Sequence, residues 1–414
     1  MLGRNKMKFV FVVIAGLLSV ALLLASCAPP SAEKPPEEKL DVTIKYGYLG
    51  DMTGPCAPNA LPLYHCTSAW IKQFNDEGGF GVEGVKLEEV WYDTEYKADK
   101  TKLGFSQFEA DPRVLSFFSG GAMELSVTRP LCDKHHFPAM IVYCPQYAAF
   151  PPGYTFFTSG FTPRMLEGVA KWLVEGNHAA MMGLEKPIKL AIFVAAVPGF
   201  ISDCEYLRYV CGQLDGIDCV VWNDVPYAAS DCTAEIIRAR DAGATLSFFH
   251  AAPAAAARII RDSYKLGFYP GCKMMVSPYC GIRSFAELVA DLPEGVFVPS
   301  GGGMYADDGP AESKKAMAAM QKYYNYTVEE ARDACAGQAC MAQIFIEACR
   351  RGAEEVGWEN MQGATGREAI YRGLKSLKDF TINTIARTVT FGEDNRVGIT
   401  EGYVAQVRNG VWHK

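Results

Sequence analysis

Histidines and recognisable catalytic motifs are scarce in this chain of 414 residues. The six histidines are scattered, and we interpret the pair His135-His136 as the end of a surface helix. No G-x-S-x-G or H-E-x-x-H motif occurs. Gly301-Gly302-Gly303 lacks the Lys-Ser or Lys-Thr that would follow in a phosphate loop. Because catalysis needs a base beside a nucleophile, we expect that the protein is not an enzyme and uses no cofactor.

Positive charge is low relative to negative charge. The chain has 40 Lys and Arg against 47 Asp and Glu, and without residues 1–26 the balance is 37 to 47. An acidic chain without a basic run is a poor partner for nucleic acid or anionic lipid. The sequence therefore predicts no nucleic-acid partner.

Only one hydrophobic run approaches the length of a membrane span, and it lies at the N-terminus. Phe9–Ala25 follows three basic residues and is almost entirely apolar, which is typical of a secretory signal peptide over residues 1–26. Leu24-Ala25-Ser26-Cys27 resembles a bacterial lipobox, which implies cleavage before Cys27 and a lipid on its sulfur. Residues 27–40 then predict a lipidated cysteine and a Pro-rich linker. An uncleaved signal anchor is the alternative, since about 17 apolar residues is the lower limit for a span.

The cysteine count is high, but its pattern does not indicate a metal. Fourteen cysteines occur without a C-x-x-C pair or histidines at zinc-finger spacing, so we expect no metal site. Export permits disulfides. Cys56 and Cys66 flank an apparent Pro-rich loop and are the first candidates for a bridge, with Cys211 and Cys219 second. The alternative is that most of the cysteines are small buried apolar residues.

Short apolar runs alternate with helical patterns from Asp41 onward. Val42–Leu49 and Val85–Trp91 are predicted strands on either side of a helix over Thr67–Asn75. The alternation restarts after Pro163 and continues through Lys273–Val276. Strands that alternate with helices of about 10–13 residues favour βαβ units and parallel sheets. We therefore predict an α/β fold of two doubly wound lobes.

Five short segments along the chain act as sequence motifs. They are residues 44–55 (IKYGYLGDMTGP), 74–80 (FNDEGGF), 87–93 (LEEVWYD), 119–121 (SGG) and 387–392 (RTVTFG). Each motif is weak alone, but their order and spacing are specific. Together they resemble the leucine/isoleucine/valine-binding protein family, the extracytoplasmic solute receptors of ABC importers.

This resemblance implies the type I periplasmic-binding-protein fold, in which three crossovers join two doubly wound parallel-sheet lobes around a ligand cleft. We expect the crossovers near Thr155–Gly160, Val296–Gly301 and Ile385–Thr390. The first lobe is then expected over residues 41–157 plus 300–386. The second lobe is expected over residues 158–299 plus 387–414.

The ligand is expected at the carboxyl ends of the strands, where loops and helix N-termini converge. In the first lobe this selects the loop of residues 51–64, the segment 121–125 and the loop of residues 143–147. In the second lobe it selects residues 198–200, 250–252 and 277–280. The candidate ligand-binding residues are Asn59, Tyr64, Met123, Glu124, Tyr143, Gln146, Phe200 and Tyr279.

The chain departs from the family's amino-acid binders in two regions, one in each lobe. Those receptors use Ser and Thr hydroxyls to hold an α-carboxylate, whereas Met123, Glu124 and Gln146 lie in that neighbourhood here. The acidic partner of an α-ammonium group is replaced by Pro278 or Tyr279. We therefore favour an aromatic or acyl ligand in an aromatic cleft over an amino acid. Glu124 could instead be a solvated residue of a helix's first turn, and each aromatic could belong to the core.

The resemblance implies a solute-binding lipoprotein, tethered to the bacterial cell envelope, that closes around its ligand and docks on an ABC permease. The expected partners are this permease, a small molecule and, through the lipid, the membrane. The alternative is a ligand-sensing subunit of the same fold for a membrane signalling partner.

Overall fold

The structure is a computed structural model. It describes residues 40–145, 148, 150–160, 162–227, 231–281, 283–300, 311–335, 340–383, 387–399 and 403–413. The predicted signal peptide, Cys27 and Gln146 lie outside these residues. Asp41–Lys414 forms one compact unit. Within the described part of the chain, no helix has the length and apolar character needed to cross a membrane.

Strands and helices alternate along the chain as predicted. The strands are β1 Val42–Gly50, β2 Val85–Asp93, β3 Val114–Ser119, β4 Ala139–Ile141, β5 Thr155–Gly160, β6 Ile188–Ala195, β7 Ile217–Val225, β8 Leu246–His250, β9 Lys273–Val276, β10 Val296–Ser300, β11 Phe380–Ile382, β12 Arg387–Val389, β13 Val397–Ile399, β14 Tyr403–Arg408 and β15 Val411–His413. The helices are α1 Ala57–Asp76, α2 Ala98–Ala110, α3 Ala122–His135, α4 Thr162–Val174, α5 His178–Met181, α6 Pro198–Cys211, α7 Thr233–Asp241, α8 Pro253–Lys265, α9 Arg283–Leu288, α10 Ala311–Tyr324, α11 Val328–Cys335, α12 Cys340–Val356 and α13 Gly363–Lys375.

The first sheet has the strand order β13-β5-β4-β3-β1-β2, and every pairing in it is parallel. Its strand β3 is buried along its whole length. Helices that cover both faces of a parallel sheet shield its strands from water. This explains why the sequence of β3, VLSFFS, is apolar except for two serines. These strands form the sheet of the first lobe.

The second sheet has the order β15-β14-β10-β9-β8-β6-β7. Pairing is parallel from β7 to β10, and β14 and β15 add to the edge antiparallel. The strand β6, IKLAIFVA, is buried apart from Lys189. Two parallel-dominated sheets with interleaved helices confirm the predicted fold class of two doubly wound lobes.

The C-terminal segment, residues 387–414, contributes strands to both lobes and not to the second lobe alone. Residues 387–414 were assigned to the second lobe, but β12 pairs with β11 and β13 pairs with β5 of the first sheet. Only β14 and β15 join the second sheet. The chain is therefore still in the first sheet at Ile399 and is in the second sheet from Tyr403, whereas a crossover was expected near Ile385–Thr390.

The helix α1 begins ten residues before its predicted start, and the expected Pro-rich loop is shorter. Prolines are compatible with a first helical turn, because the N–H that they lack has no partner there. The carboxylate of Asp51 accepts hydrogen bonds from the backbone N–H of Gly54 (2.5 Å) and of Cys56 (2.6 Å), and so shapes the turn before the helix. Asn59 and Tyr64 consequently lie on α1 and not in a loop.

This helix makes the predicted Cys56–Cys66 disulfide wrong. Cys56 precedes α1 and Cys66 lies inside it, so ten residues of helix separate them by about 15 Å. A disulfide needs Cα atoms within about 7 Å. Cys211 and Cys219 likewise carry thiols and are not bridged. Nine of the eleven described thiols are buried, as expected for small apolar side chains.

The topology brings the carboxyl ends of the parallel strands of both sheets together. In the first lobe β1, β2 and β3 end at Gly50, Asp93 and Ser119. In the second lobe β6 and β8 end at Ala195 and His250. Loops that leave these ends are in contact across the two lobes, and they form the candidate site.

Candidate functional site

Two aspartates organise the loops of the first lobe. Asp51 holds the turn before α1. Asp93, at the end of β2, accepts hydrogen bonds from the backbone N–H of Met52 (2.9 Å) and from the hydroxyl of Thr53 (2.6 Å). Although desolvation acts in the opposite direction, these bonds lower the pKa of Asp93 below its ordinary value. Both carboxylates thus accept hydrogen bonds from the nearby loop and are not free to bind a ligand.

Glu124 lies in the first turn of α3 and is fully buried, with 0% exposure. Its Oε1 accepts a hydrogen bond from the hydroxyl of Thr94 at 2.5 Å. Its Oε2 has no hydrogen-bond partner among the described residues. Burial raises the pKa of Glu124 to about 7, although the hydroxyl of Thr94 and its own backbone N–H act in the opposite direction. The alternative of a solvated residue is therefore wrong.

The second lobe contributes a cluster around the N-terminal part of α6. Phe200 is buried and lies 4.3 Å, between ring centroids, from His250 at the end of β8. It also stacks on Tyr279 at 5.8 Å. Asp203, one turn further along α6, is fully buried, and its Oδ2 lies 3.2 Å from Nε2 of His250. The cluster combines apolar rings with a buried carboxyl group and an imidazole.

Tyr143 joins the first lobe to this cluster. Its hydroxyl donates a hydrogen bond to Oδ2 of Asp203 at 2.8 Å. Its ring meets Phe200 edge-on at 5.7 Å and Tyr279 at 5.4 Å. Gly199 permits this approach, because a Cβ at that position would overlap the Tyr143 hydroxyl. Predicted residues from both lobes therefore meet in one buried contact.

A second contact between the lobes lies beside the first. Tyr96, after β2, stacks on Tyr227, after β7, with centroids 5.2 Å apart and an interplanar angle of 18°. The hydroxyl of Tyr227 also lies 2.5 Å from the sulfur of Cys56. Burial raises the pKa of the Cys56 thiol to about 12, so this sulfur is a neutral thiol. At this second contact the lobes thus touch through aromatic rings and a neutral thiol.

The other candidate residues lie around this contact or apart from it. Met123 is partly exposed at the start of α3, and Asn59 is partly exposed on the first turn of α1. Tyr64 lies further along α1, where it stacks on Tyr48 inside the first lobe at 5.1 Å. Burial raises the pKa of Tyr64 well above its ordinary value. Gln146 lies outside the described residues.

Sequence reasoning missed Tyr96, Tyr227 and Asp203. Tyr96 and Tyr227 follow the carboxyl ends of β2 and β7, so the rule that selected the other loops would have found them. Asp203 carried a weaker signal, because it is the sixth residue of α6 and its position depends on where that helix begins. Among the described residues, no group of three His, Cys, Asp or Glu side chains could hold a metal ion.

Two α/β lobes whose strand-end loops meet around buried polar and aromatic groups define a two-lobed ligand-binding protein. The family model described as periplasmic binding protein matches residues 43–411, so the chain belongs to that family. This confirms the predicted resemblance. No curated protein matches the chain.

Solved structures share the fold over nearly their whole length. A branched-chain amino acid ABC transporter protein from Thermus thermophilus with bound valine is 18% identical, with 90% of this chain and 95% of that chain covered and a TM-score of 0.78. A fatty acid ABC transporter substrate-binding protein from Thermomonospora curvata is 18% identical, with coverages of 90% and 92% and a TM-score of 0.73. A solute-binding protein from R. palustris in complex with 4-hydroxybenzoate is 18% identical, with coverages of 89% and 95% and a TM-score of 0.71.

Proposed function

We propose that this protein is the extracytoplasmic receptor of an ABC importer and captures a small organic molecule between its two lobes. The observation that carries the proposal is the buried contact in which Tyr143 of the first lobe meets Phe200, Asp203 and Tyr279 of the second. Side chains from both lobes are thereby available to one ligand. The similar structures with valine or 4-hydroxybenzoate bound support a small organic ligand.

The composition of this contact favours an aromatic or acyl ligand over an amino acid. Tyr96, Tyr143, Phe200, Tyr227 and Tyr279 bring five aromatic rings to the facing loops. Aromatic rings bind flat or apolar molecules through their large surface, while a few polar groups set the orientation. The polar groups here belong to carboxyl, phenol and imidazole side chains rather than to a row of Ser and Thr hydroxyls.

Hinge closure is the proposed mechanism. A ligand favours closure only through contacts that improve when the lobes approach each other. The hydrogen bond from Tyr143 to Asp203 and the stack of Tyr96 on Tyr227 both join opposite lobes, so both require the closed arrangement. A permease in the membrane would then recognise the closed receptor. The predicted signal peptide and the lipid on Cys27 would keep the receptor at the cell envelope.

A thermal-shift screen of the protein beginning at Ala28 tests this function. Saturation of one site at about 100 times Kd stabilises by about 2.7 kcal/mol, which is a rise in Tm of roughly 5–10 °C. We expect such shifts with aromatic acids, amides or short acyl compounds and not with leucine or valine. Shifts with leucine or valine alone would restore the amino-acid ligand and contradict the aromatic cleft.

A matched pair of variants locates the ligand. Tyr227→Leu removes a ring at the contact between the lobes, whereas Tyr209→Leu removes one that is 64% exposed on α6. We expect the ligand-induced rise in Tm to shrink in the first variant and to persist in the second. Equal responses in the two variants would place the ligand elsewhere.

A further inference from the structure

We propose that the carboxyl group of Glu124 occupies the N-terminus of α3 and is a built-in anion at mildly alkaline pH, so that the ligand then presents a hydrogen-bond donor to the first lobe and not a carboxylate. The donor would be a hydroxyl, amide or ammonium group on an aromatic or alkyl body. This inference rests on the proposed function, because it specifies the ligand of the same cleft.

The N-terminus of α3 is a place where an anion is stabilised. This helix has 14 residues and begins directly after Gly121, whose missing side chain leaves the first backbone N–H groups without a side-chain cap. The backbone N–H of Leu125 is the first to bond within the helix, to the carbonyl of Gly121. Before it, the backbone N–H of Met123 interacts with the hydroxyl of Tyr96 and that of Glu124 with its own carboxyl group, and the helix dipole favours negative charge at this end.

Glu124 fills this place with its own side chain. A Cβ added to Gly121 would overlap Oε2 of Glu124 and would also approach the ring of Tyr96. The carboxyl group is therefore folded back over the start of its own helix, directly beside a residue that contacts the second lobe. A carboxylate of a ligand would have to displace it.

The surroundings of Glu124 provide no positive charge that would attract a second anion. The side chains that face it are the carboxyl group of Asp51 from the loop after β1 and the neutral groups of Tyr48 from β1, Cys56 before α1 and Tyr96 after β2. No Lys or Arg side chain forms an ion pair with Glu124 in the described part of the chain. When Glu124 is ionised, a carboxylate of a ligand beside it would add a like charge to a buried site, which is unfavourable.

The remaining feature points to a donor. Oε1 of Glu124 already accepts the hydroxyl of Thr94, whereas the fully buried Oε2 has no partner among the described residues. A buried carboxylate oxygen without a hydrogen bond is costly, and a donor supplied by a ligand would satisfy it. The position of Oε2 beside Gly121 and Tyr96 places this acceptor on the side of the first lobe that faces the second.

Acetate tests the built-in anion without knowledge of the ligand. At about pH 8.5, the pH used for both experiments, the full chain of Glu124→Ala in mild detergent should be stabilised by about 100 mM sodium acetate over sodium chloride, by roughly 5–10 °C if acetate binds with a Kd of about 1 mM. Wild type and Glu88→Ala, which alters an exposed glutamate of the same lobe, should not respond. An equal response of all three proteins to acetate would overturn the assignment.

Matched aromatic probes test the ligand class. We expect wild type to bind benzamide or benzylamine at least tenfold more tightly than benzoate. In Glu124→Gln this preference should fall at least tenfold, because the glutamine amide can also donate a hydrogen bond to the carboxylate of benzoate. Glu88→Gln is the control. Benzamide against benzylamine separates a neutral donor from a cationic one.

The outcomes separate the two proposals. Tight binding of benzoate by wild type, unchanged in Glu124→Gln, would overturn the donor inference and leave a receptor for aromatic molecules. Binding of none of the three probes would count against the aromatic ligand of the proposed function, and the acetate experiment would still decide the role of Glu124. If Glu124→Ala does not fold, the isosteric Glu124→Gln decides it through the aromatic probes.

Discussion

Replacement of Tyr143 by Phe removes one hydroxyl group from the contact between the lobes. Tyr143 is 1% exposed, and its hydroxyl lies 2.8 Å from Oδ2 of Asp203, which is fully buried. The ring of the variant can still pack edge-on against Phe200 and Tyr279. The substitution therefore tests the hydrogen bond and leaves the aromatic packing in place.

The expected magnitude follows from the burial of both partners. Removal of one partner, so that a buried acceptor is left less well satisfied, costs about 1–3 kcal/mol. Because the two groups belong to different lobes, the loss of this bond destabilises the closed arrangement relative to the open one. At 1.4 kcal/mol per factor of ten, closure and ligand affinity should weaken roughly 10- to 100-fold.

The matched control is Tyr48→Phe, whose hydroxyl donates to the carbonyl of Ala60 inside the first lobe at 2.9 Å. Small-angle X-ray scattering would report the radius of gyration of both variants with and without the best ligand of the screen, and calorimetry would report their affinities. We expect a more open protein and weaker binding only for Tyr143→Phe. The same radius and affinity in both variants would refute the reasoning, since the bond would then have no role in closure.

Three further predictions concern single side chains. The pKa of Glu124 rises from 4.5 to about 7 on folding, so the folded protein keeps a proton that the unfolded chain loses. The free energy of unfolding should therefore fall by about 3 kcal/mol as pH rises from 4.5 to 7, and chemical denaturation should show a smaller fall in Glu124→Gln. Because Cys56 and Cys66 are too far apart to bridge, Cys56→Ser should leave the dependence of Tm on reducing agent unchanged, and a drop in that dependence would contradict the helix geometry. Arg396 is buried and donates to the carbonyl of Gly153 at 2.7 Å, so Arg396→Met should lower the free energy of unfolding by about 2–4 kcal/mol in urea titration, whereas the exposed Arg408→Met should change it by less than about 1 kcal/mol.

The alternation of strands and helices was predictable because burial on both sides of a parallel sheet leaves apolar runs that stand out. The strand β3 is one such run, and the predicted strands Val42–Leu49 and Val85–Trp91 agree with β1 and β2 to within two residues. The start of α1 was not predictable from the same signal, since its first two turns contain Pro58 and Pro62. Those prolines are typical of a loop, but Pro58 lies in the first turn of the helix, where the N–H that it lacks would have no partner.

The location of β13 was hidden for another reason. Val397–Ile399 is a strand of three residues, too short to carry a periodic pattern, and its partner β5 lies more than 200 residues earlier. A pairing of this kind is decided by the tertiary fold.

The candidate site was predictable where a single loop decides the position of a side chain. Tyr143, Phe200 and Tyr279 follow strand ends, and the structure brings them together. The burial of Glu124 was not predictable, because the first turn of a helix can face solvent or protein with the same sequence. Asp203 was missed since its contact with Tyr143 exists only when two lobes distant in sequence meet.

The strands β13 and β14 have a consequence for aggregation. The strand β13 covers the edge of β5 in the first sheet, and β14 covers the edge of β10 in the second. Without these two strands, each sheet would have an open edge on which a strand of another molecule could add. One short segment therefore closes an edge of both lobes, and a chain cut short before β13 would expose two sites for aggregation.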